Sequence, residues 1–182
     1  MGWILALGAP IALFAAVAWT YNRLVADRNL VAQAFADVDV QLKRRADLVP
    51  ALVAAVRAYA SHERATLEAV AELRGAVGAL ASDASARRFR LEGDLDTALQ
   101  RAVLLQEGYP ALKADANFRD LSARLVEVEE QLQHARRFYN GAVMQYSTRC
   151  QSFPQLLVAR AAGFRAAAYF ESDEREGVRV QP

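Results

Sequence analysis

Cysteine is nearly absent from this chain. Cys150 stands alone among 182 residues, so no intramolecular disulfide forms, and the single thiol reads as a small core residue in keeping with a reducing compartment. Histidine is almost as scarce. His62-Glu63-Arg64-Ala65-Thr66 opens like a zinc-protease helix, but Thr66 stands where the second ligand one turn on is needed. His134 is far away in sequence and no third ligand accompanies either residue, so no metal site is expected. A Gly-rich phosphate loop, a nucleophile elbow and a catalytic carboxylate pair are all missing too. The sequence therefore predicts no catalytic residue, no cofactor and no enzyme activity. Charge of one sign is also lacking: 22 basic residues against 21 acidic ones leave +1. No global field exists to collect nucleic acid, which is not expected as a partner. Strict period-two alternation over a strand's length is absent as well, which predicts a fold without sheet.

What the chain does contain begins at its first residue. From Met1 to Thr20 no side chain is charged, and WILALGAPIALFAAVAW is apolar enough to cross roughly 30 Å of hydrocarbon at about 1.5 Å per residue. Trp3 at one end, and Trp19 and Tyr21 at the other, stand where amphipathic rings favour the membrane interface. Pro10 is tolerable in such a helix. A cleaved signal peptide is the rival reading, since Ala16-Val17-Ala18 offers a small-x-small pattern. Against it, no Lys or Arg precedes the apolar run, and helical periodicity continues past Thr20 without a polar break. Arg23, Arg28, Lys43, Arg44 and Arg45 all follow the run. The positive-inside rule then predicts a single-pass protein of the cell (inner) membrane, with its N-terminus outside and the remainder cytoplasmic.

Four further segments carry apolar residues at alternating three- and four-residue steps, the stripe that lets helices pack. The first runs Leu24, Val31, Phe35, Val38 and Leu42; the second Leu52, Val56, Tyr59, Leu67, Val70, Val77 and Leu80. The third holds Leu91, Leu95, Ala98, Ala102, Leu105 and Tyr109. The fourth and longest holds Phe118, Leu121, Leu125, Val128, Leu132, Ala135, Tyr139, Ala142, Tyr146 and then Cys150 or Phe153. Asp47-Leu48-Val49-Pro50 puts an N-cap candidate before a proline suited to a helix's first turn, which favours a tight reversal near Asp47 over a kinked continuous helix. Ser82, Asp83 and Ser85 make a polar corner with capping groups. Tyr109-Pro110 is expected to end the third helix, and Asn117 with Asp120 to cap the fourth.

These segments predict an all-α fold: an N-terminal transmembrane helix (residues 1–20) continuing into an antiparallel four-helix bundle with a short C-terminal helix (21–170), then a flexible tail (171–182). An even number of antiparallel helices returns the chain to the membrane, so the segment after Phe153-Pro154 has two readings. Leu156, Leu157, Phe164 and Phe170, interspersed with Arg160 and Arg165, either lie in the headgroup interface or pack back on the bundle. Lys43, Arg44 and Arg45 would sit roughly 30 Å beyond the membrane on a straight helix, outside a Debye length of about 8 Å. They are expected at the distal tip, paired with Asp37, Asp39 or Asp47, with partner docking as the rival use. Glu127, Glu129 and Glu130 with Arg136 and Arg137 suggest similar interhelical or solvated pairing.

Longer stretches resemble a known family. YNRLVADRNLVAQAFADVDVQLKRRADLVPALVAAVRAYASHERATLEAV is similar to the first half of the LemA family, and EGYPALKADANFRDLSARLVEVEEQLQHARRFYNGAVMQYSTRCQSFP to its second. QLKRR with DLVP, YASHE, YPALKA and ARRFYN are together far more specific than any one alone. Ser147 departs from a usual Asn and Gln131 from a common basic residue, while residues 82–94 match weakly. The resemblance implies a membrane-anchored helical bundle with a short external N-terminus and no assigned catalytic residue; one branch is associated with magnetosome membranes. It also marks Lys43, Arg44, Arg45, His62, Glu63, Arg136, Tyr139 and Asn140 as a shared polar network or binding face. The expected function is a membrane-anchored scaffold or adaptor, bound to the bilayer through residues 1–20 and presenting its bundle to protein partners or to copies of itself. The alternative is a membrane-remodelling or lipid-sensing module acting through the C-terminal amphipathic segment.

Overall fold

The computed structural model describes residues 2–80 and 84–170, and the side chains of all these but residues 2–7 and 9. Helix α1 spans Gly2–Tyr59, 58 residues without a break. The reversal expected at Asp47 does not occur. Pro50 has no N–H to give the Ala46 carbonyl one turn back, and Arg74 supplies the missing donor: its Nε donates to Ala46 O at 3.0 Å. With that carbonyl satisfied and Val49, Leu52 and Val56 buried, packing outweighs the proline. The chain turns instead at Ala60–Glu63, where the Glu63 amide donates to Ala60 O.

Helix α2 follows over Arg64–Gly78, and α3 over Ala86–Leu104. Ser85 caps α3 by accepting from the Arg88 amide; Ser82 and Asp83 of the expected corner lie outside the described residues. The third helix ends at Leu104 and tightens into a 3-10 turn over Leu105–Glu107, short of Pro110. That proline opens α4 (Pro110–Ala114) from the first-turn position it favours. Asp115, rather than Asn117, caps α5 (Ala116–Gln151), its Oδ1 accepting from the Phe118 amide at 2.7 Å. After a cis Phe153-Pro154 bond comes α6 (Gln155–Ala161). Gly163 ends it at φ 73°, a left-handed conformation that lets the Gly163 and Phe164 amides turn back to Arg160 O and Ala159 O. Among the described residues there is no strand.

Paired side chains give the directions. Asp27 meets Arg149 and Arg45 meets Glu129, so α5 runs antiparallel to α1. Asp39 meets Arg88 and Arg45 meets Glu92, so α3 runs parallel to α1, with α2 antiparallel between them. Helix α1 is thus the common wall of an up-and-down arrangement and packs against α2, α3, α4, α5 and α6.

Two apolar cores stack along α1. The near core joins Leu24, Val31, Val38 and Leu42 to Leu132, Tyr139, Val143 and Tyr146 of α5, and to Phe89, Ala159 and Phe170. The far core joins Val49, Leu52 and Val56 to α2, α3, Leu112 and Phe118. Each fully buried Leu or Phe contributes about 1.5–3 kcal/mol. Residues 164–170 pack back on the bundle: Phe164 meets the Tyr21 ring at 5.6 Å, and Phe170 is 4 % exposed. Of the residues considered for the membrane interface, Phe170 therefore belongs to the core and Phe164 is half-buried. Leu156 is half-buried and Leu157 exposed, and the Trp3 side chain lies outside the described residues.

Toward its N-terminus α1 leaves the bundle. Ile11, Leu13, Phe14, Val17 and Trp19 are all exposed. Among the described residues no helix is long and apolar enough to cross a membrane, and the apolar run expected to do so draws part of its length from residues whose side chains are not described.

Candidate functional site

Arg45 lies between the two cores, flanked along α1 by Leu42 and Val49, and is fully buried. A guanidinium is tolerable there only with charged partners on its donors. It has three: Glu92 Oε2 at 2.6 Å, Glu129 Oε1 at 3.0 Å and Asp96 Oδ1 at 3.5 Å. Its Nη2 also donates to the Glu92 carbonyl. Burial opposes the charge on Arg45, but Glu129 and Glu92 outweigh it and hold the group above its ordinary value. One cation from α1 thereby ties together α3, which supplies Glu92 and Asp96, and α5, which supplies Glu129.

The layer continues on both sides. Arg88 pairs with Asp39, lies 4.0 Å from Glu92 Oε1 and stacks on Phe35. Arg136 of α5 lies over the Phe170 ring at 4.4 Å, and its Nε and Nη2 find no hydrogen-bond partner among the described residues. Burial, together with the charge of Arg45, lowers the pKa of Arg136. Beside it Tyr139 donates to Ala168 O at 2.7 Å, and burial pushes its hydroxyl up to about 12. Asn140 clamps Phe170 through both backbone groups, giving Nδ2 to its carbonyl at 2.9 Å and accepting its amide at 2.8 Å. A second charged point joins the near ends of α1 and α5, where Asp27 meets Arg149 at 2.6 Å and Gln145 at 3.0 Å.

Of the eight polar residues singled out from the sequence, the structure brings Arg45, Arg136, Tyr139 and Asn140 into the interior. Lys43, Arg44 and His62 are exposed. Glu63 is half-buried and accepts from the Tyr109 hydroxyl at 3.1 Å at the far turn, which raises the Tyr109 pKa. Two expectations need correction. The basic run is at mid-bundle rather than at a distal tip, because α1 continues to Tyr59. Its interior member pairs across helices with Glu92, Asp96 and Glu129, while Asp39 serves Arg88.

Glu92, Asp96, Arg88 and Asp27 were missed by the sequence reading, although spacing marks Asp27 and Glu92. Along α1 the buried stripe runs Leu24, Asp27, Val31, Ala34, Val38, Leu42, Arg45, Val49, Leu52 and Val56, so both charged members stand at core positions of a three-four repeat. Phe89, Glu92 and Leu95 repeat that step on α3.

Arg45 spends its Nη donors on carboxylates and on the Glu92 carbonyl, while its Nε, like two Arg136 donors, finds no partner among the described residues. Among the described residues no three of His, Cys, Asp and Glu are placed to hold a metal ion. Cys150 is buried, and burial raises its thiol pKa. Two concave surfaces remain. An open groove of about 620 Å³ runs between α3 and α5 over Leu99, Val103, Leu104, Leu125 and Val126, with Asp96, Glu129 and Glu130 at one end. A shallower hollow of about 360 Å³ between α1 and α5 is walled by Val40 and Phe138, beside Asp37 and His134.

Comparison with known proteins places these features in context. The profile described as the LemA family matches residues 34–182. Magnetosome proteins MamQ 1 and MamQ 2 of Paramagnetospirillum magneticum are each 28% identical to the chain over 100 residues, covering 54% of it and 37% of the relative. Magnetosome protein MamQ of Magnetospirillum gryphiswaldense is 25% identical over 99 residues, covering 53% of the chain and 36% of the relative. The match thus spans little more than a third of these relatives' own length.

Proposed function

The chain belongs to the LemA family, and from that membership we propose that it is a membrane-anchored helical scaffold that holds protein partners, or further copies of itself, against a bilayer. The observation carrying this reading is the continuity of α1, which runs from a bare apolar stretch into the common wall of the bundle. Phe14 is 76% and Trp19 67% exposed, and apolar residues crowd every side of the helix there. Water gives such a surface no reward, whereas hydrocarbon does. Arg23, Arg28 and the cations that follow flank this side of the stretch, which favours a cytoplasmic bundle. Val40 and Phe138, half exposed across the α1–α5 hollow, offer an apolar contact face for a partner. Relatives named as components of a cellular structure, rather than as enzymes, support a scaffold over a catalyst.

Fractionation tests the anchor. Full-length protein is expected in carbonate-resistant membranes, and a chain starting at Tyr21, which keeps every buried residue but Thr20 among the described ones, in the soluble fraction. A membrane-impermeant maleimide should label Gly2→Cys but not Val40→Cys in intact cells. The reverse labelling refutes the orientation, and soluble full-length protein refutes the anchor. Mass measurement in mild detergent then tests self-assembly, with Phe138→Asp expected to dissociate any oligomer made through that face.

A second reading draws on Phe153 and Leu157, 79% and 60% exposed. Asp27 faces Arg149, so the turn after α5 stands level with Thr20 and Tyr21, with exposed Arg160 and Arg165 nearby. This pattern suits a lipid-sensing contact at the headgroups, made by the turn and α6 while Phe164 and Phe170 face inward. Residues 21–182 should then bind anionic vesicles, and Phe153→Asp with Leu157→Asp should abolish that binding.

A further inference from the structure

Helices α3 and α5 both pack on α1 but not closely on each other. What joins them is the charged layer, where Arg45 of α1 holds Glu92 and Asp96 of one and Glu129 of the other. Past that layer the space between them is the open groove of about 620 Å³. Leu99 is buried there and Val103 and Leu125 are half-buried, while Leu104 and Val126 stand 56% and 58% exposed. Apolar side chains held apart in this way gain from any surface that removes them from water.

We propose that this groove receives an amphipathic helix of a protein partner, apolar on one face and carrying Lys or Arg at the end that meets Asp96, Glu129 and Glu130. The charge decides the partner's chemistry. The charged residues lining the groove are these three carboxylates, all at one end, with no Lys or Arg among them. Arg45 is buried behind the wall and is shared with Glu92. Glu130 is exposed and pairs with no cation among the described residues. The acidic end therefore attracts a cationic segment and repels an acidic one. The backbone decides the partner's conformation. An extended segment needs a sheet edge for its N–H and C=O groups, and among the described residues there is no strand. A helix satisfies its own backbone and presents only side chains to a groove between two helices. The length fits as well: from Ser122 to Gln133 the α5 wall is eleven residues long, about 16 Å or three helical turns. This assignment rests on the scaffold reading and names the chemistry of one partner, on a face separate from Val40 and Phe138.

Two helical peptides test the proposal, identical in a Leu-rich face and differing only in a cluster of Lys or of Glu at one end. Each is titrated by fluorescence anisotropy against the full chain in phosphatidylcholine nanodiscs, with empty discs as reference. The Lys peptide is expected to bind saturably and about ten-fold more tightly than the Glu peptide. Glu130→Lys should weaken the Lys peptide about ten-fold and strengthen the Glu peptide. Val126→Asp with Leu104→Asp should abolish binding of both while leaving the circular dichroism unchanged, since both positions are exposed. Phe138→Asp should leave binding as it was. No saturable binding, equal affinity for the two peptides, or indifference to Val126→Asp with Leu104→Asp each overturns the groove assignment. So does a fall in the mass of the full-length assembly caused by the latter variant, which would give the groove to a second copy. Anchoring and assembly through Phe138 are read separately by fractionation and mass, so failure here leaves the scaffold reading standing and failure there does not mimic it.

Discussion

Replacing Arg45 by Met removes the cation but leaves its three carboxylates. Glu129 and Asp96 keep side-chain exposures of 25% and 21% and regain water, but Glu92 is 2% exposed. Its remaining ionic neighbour on α3, Arg88 Nε, is 4.0 Å away and also serves Asp39. Breaking a buried pair by removing one partner costs about 3–5 kcal/mol. For a domain of this size each kcal/mol moves Tm by about 2–4 °C, so the single variant should melt roughly 6–20 °C lower. Much of that loss reflects the stranded carboxylate rather than a net benefit of the pair. Arg45→Met combined with Glu92→Met removes both charges and should recover to within about 1–2 kcal/mol of the natural chain. Thermal unfolding followed by far-ultraviolet circular dichroism on the natural chain, both single variants and the double variant closes the cycle. A drop below about 2 °C for Arg45→Met, or a double variant no better than that single one, refutes the reasoning.

Three other perturbations follow from the geometry. Pro50→Ala restores an amide facing Ala46 O and removes a helix-interior penalty of about 3 kcal/mol, partly offset by a more flexible unfolded chain. A gain of about 1–2 kcal/mol by denaturant titration is expected, and a loss refutes the proline penalty. Asn140→Ala removes both clamps on Phe170 at a cost of about 1–3 kcal/mol. It should speed amide exchange across residues 164–170 before the rest of the bundle, and unchanged exchange there refutes the clamp. The amide of Phe118 holds the Asp115 carboxyl below its ordinary value. Its capping contribution is therefore present above about pH 4, the unfolded value, and is lost as pH falls through the lowered folded value. Asp115→Ala should accelerate Phe118 exchange at pH 6, and the difference from the natural chain should shrink as the medium is acidified through that window.

The apolar stripes made the helices legible, since period 3.6 is written in Leu24 to Leu42 and again in Phe118 to Cys150. Pro50 misled because its local rule ignores Arg74, a residue 24 positions later that satisfies the orphaned carbonyl. Helix ends were less legible for a related reason: Asp115 and Asn117 are both good capping residues, and only the backbone at Phe118 decides between them. The polar layer was half visible. Arg45 was noticed within a basic cluster, but its neighbours Lys43 and Arg44 suggested a solvated face, whereas its place between Leu42 and Val49 in the core stripe was the stronger signal. Glu92 was hidden by a third stripe that entered at Leu91 and so missed Phe89, from which the three-residue step passes through Glu92 to Leu95. No sequence pattern announces that Asn140 and Phe170 will meet, because that contact closes a loop of thirty residues.

A helix with no joint between the apolar stretch and the far core has a mechanical consequence. Residues 21–59 alone measure about 58 Å at 1.5 Å per residue, so with residues 1–20 seated in a bilayer the far turn at Ser61 and His62 is the tip of a pointer. Transmembrane helices commonly lean by about 20°, and a change of about 10° in that lean would swing the tip by roughly 10 Å. Bilayer thickness or crowding at such a proposed anchor would then be read out as lateral position at the far core, beyond the charged layer that ties α1 to α3 and α5.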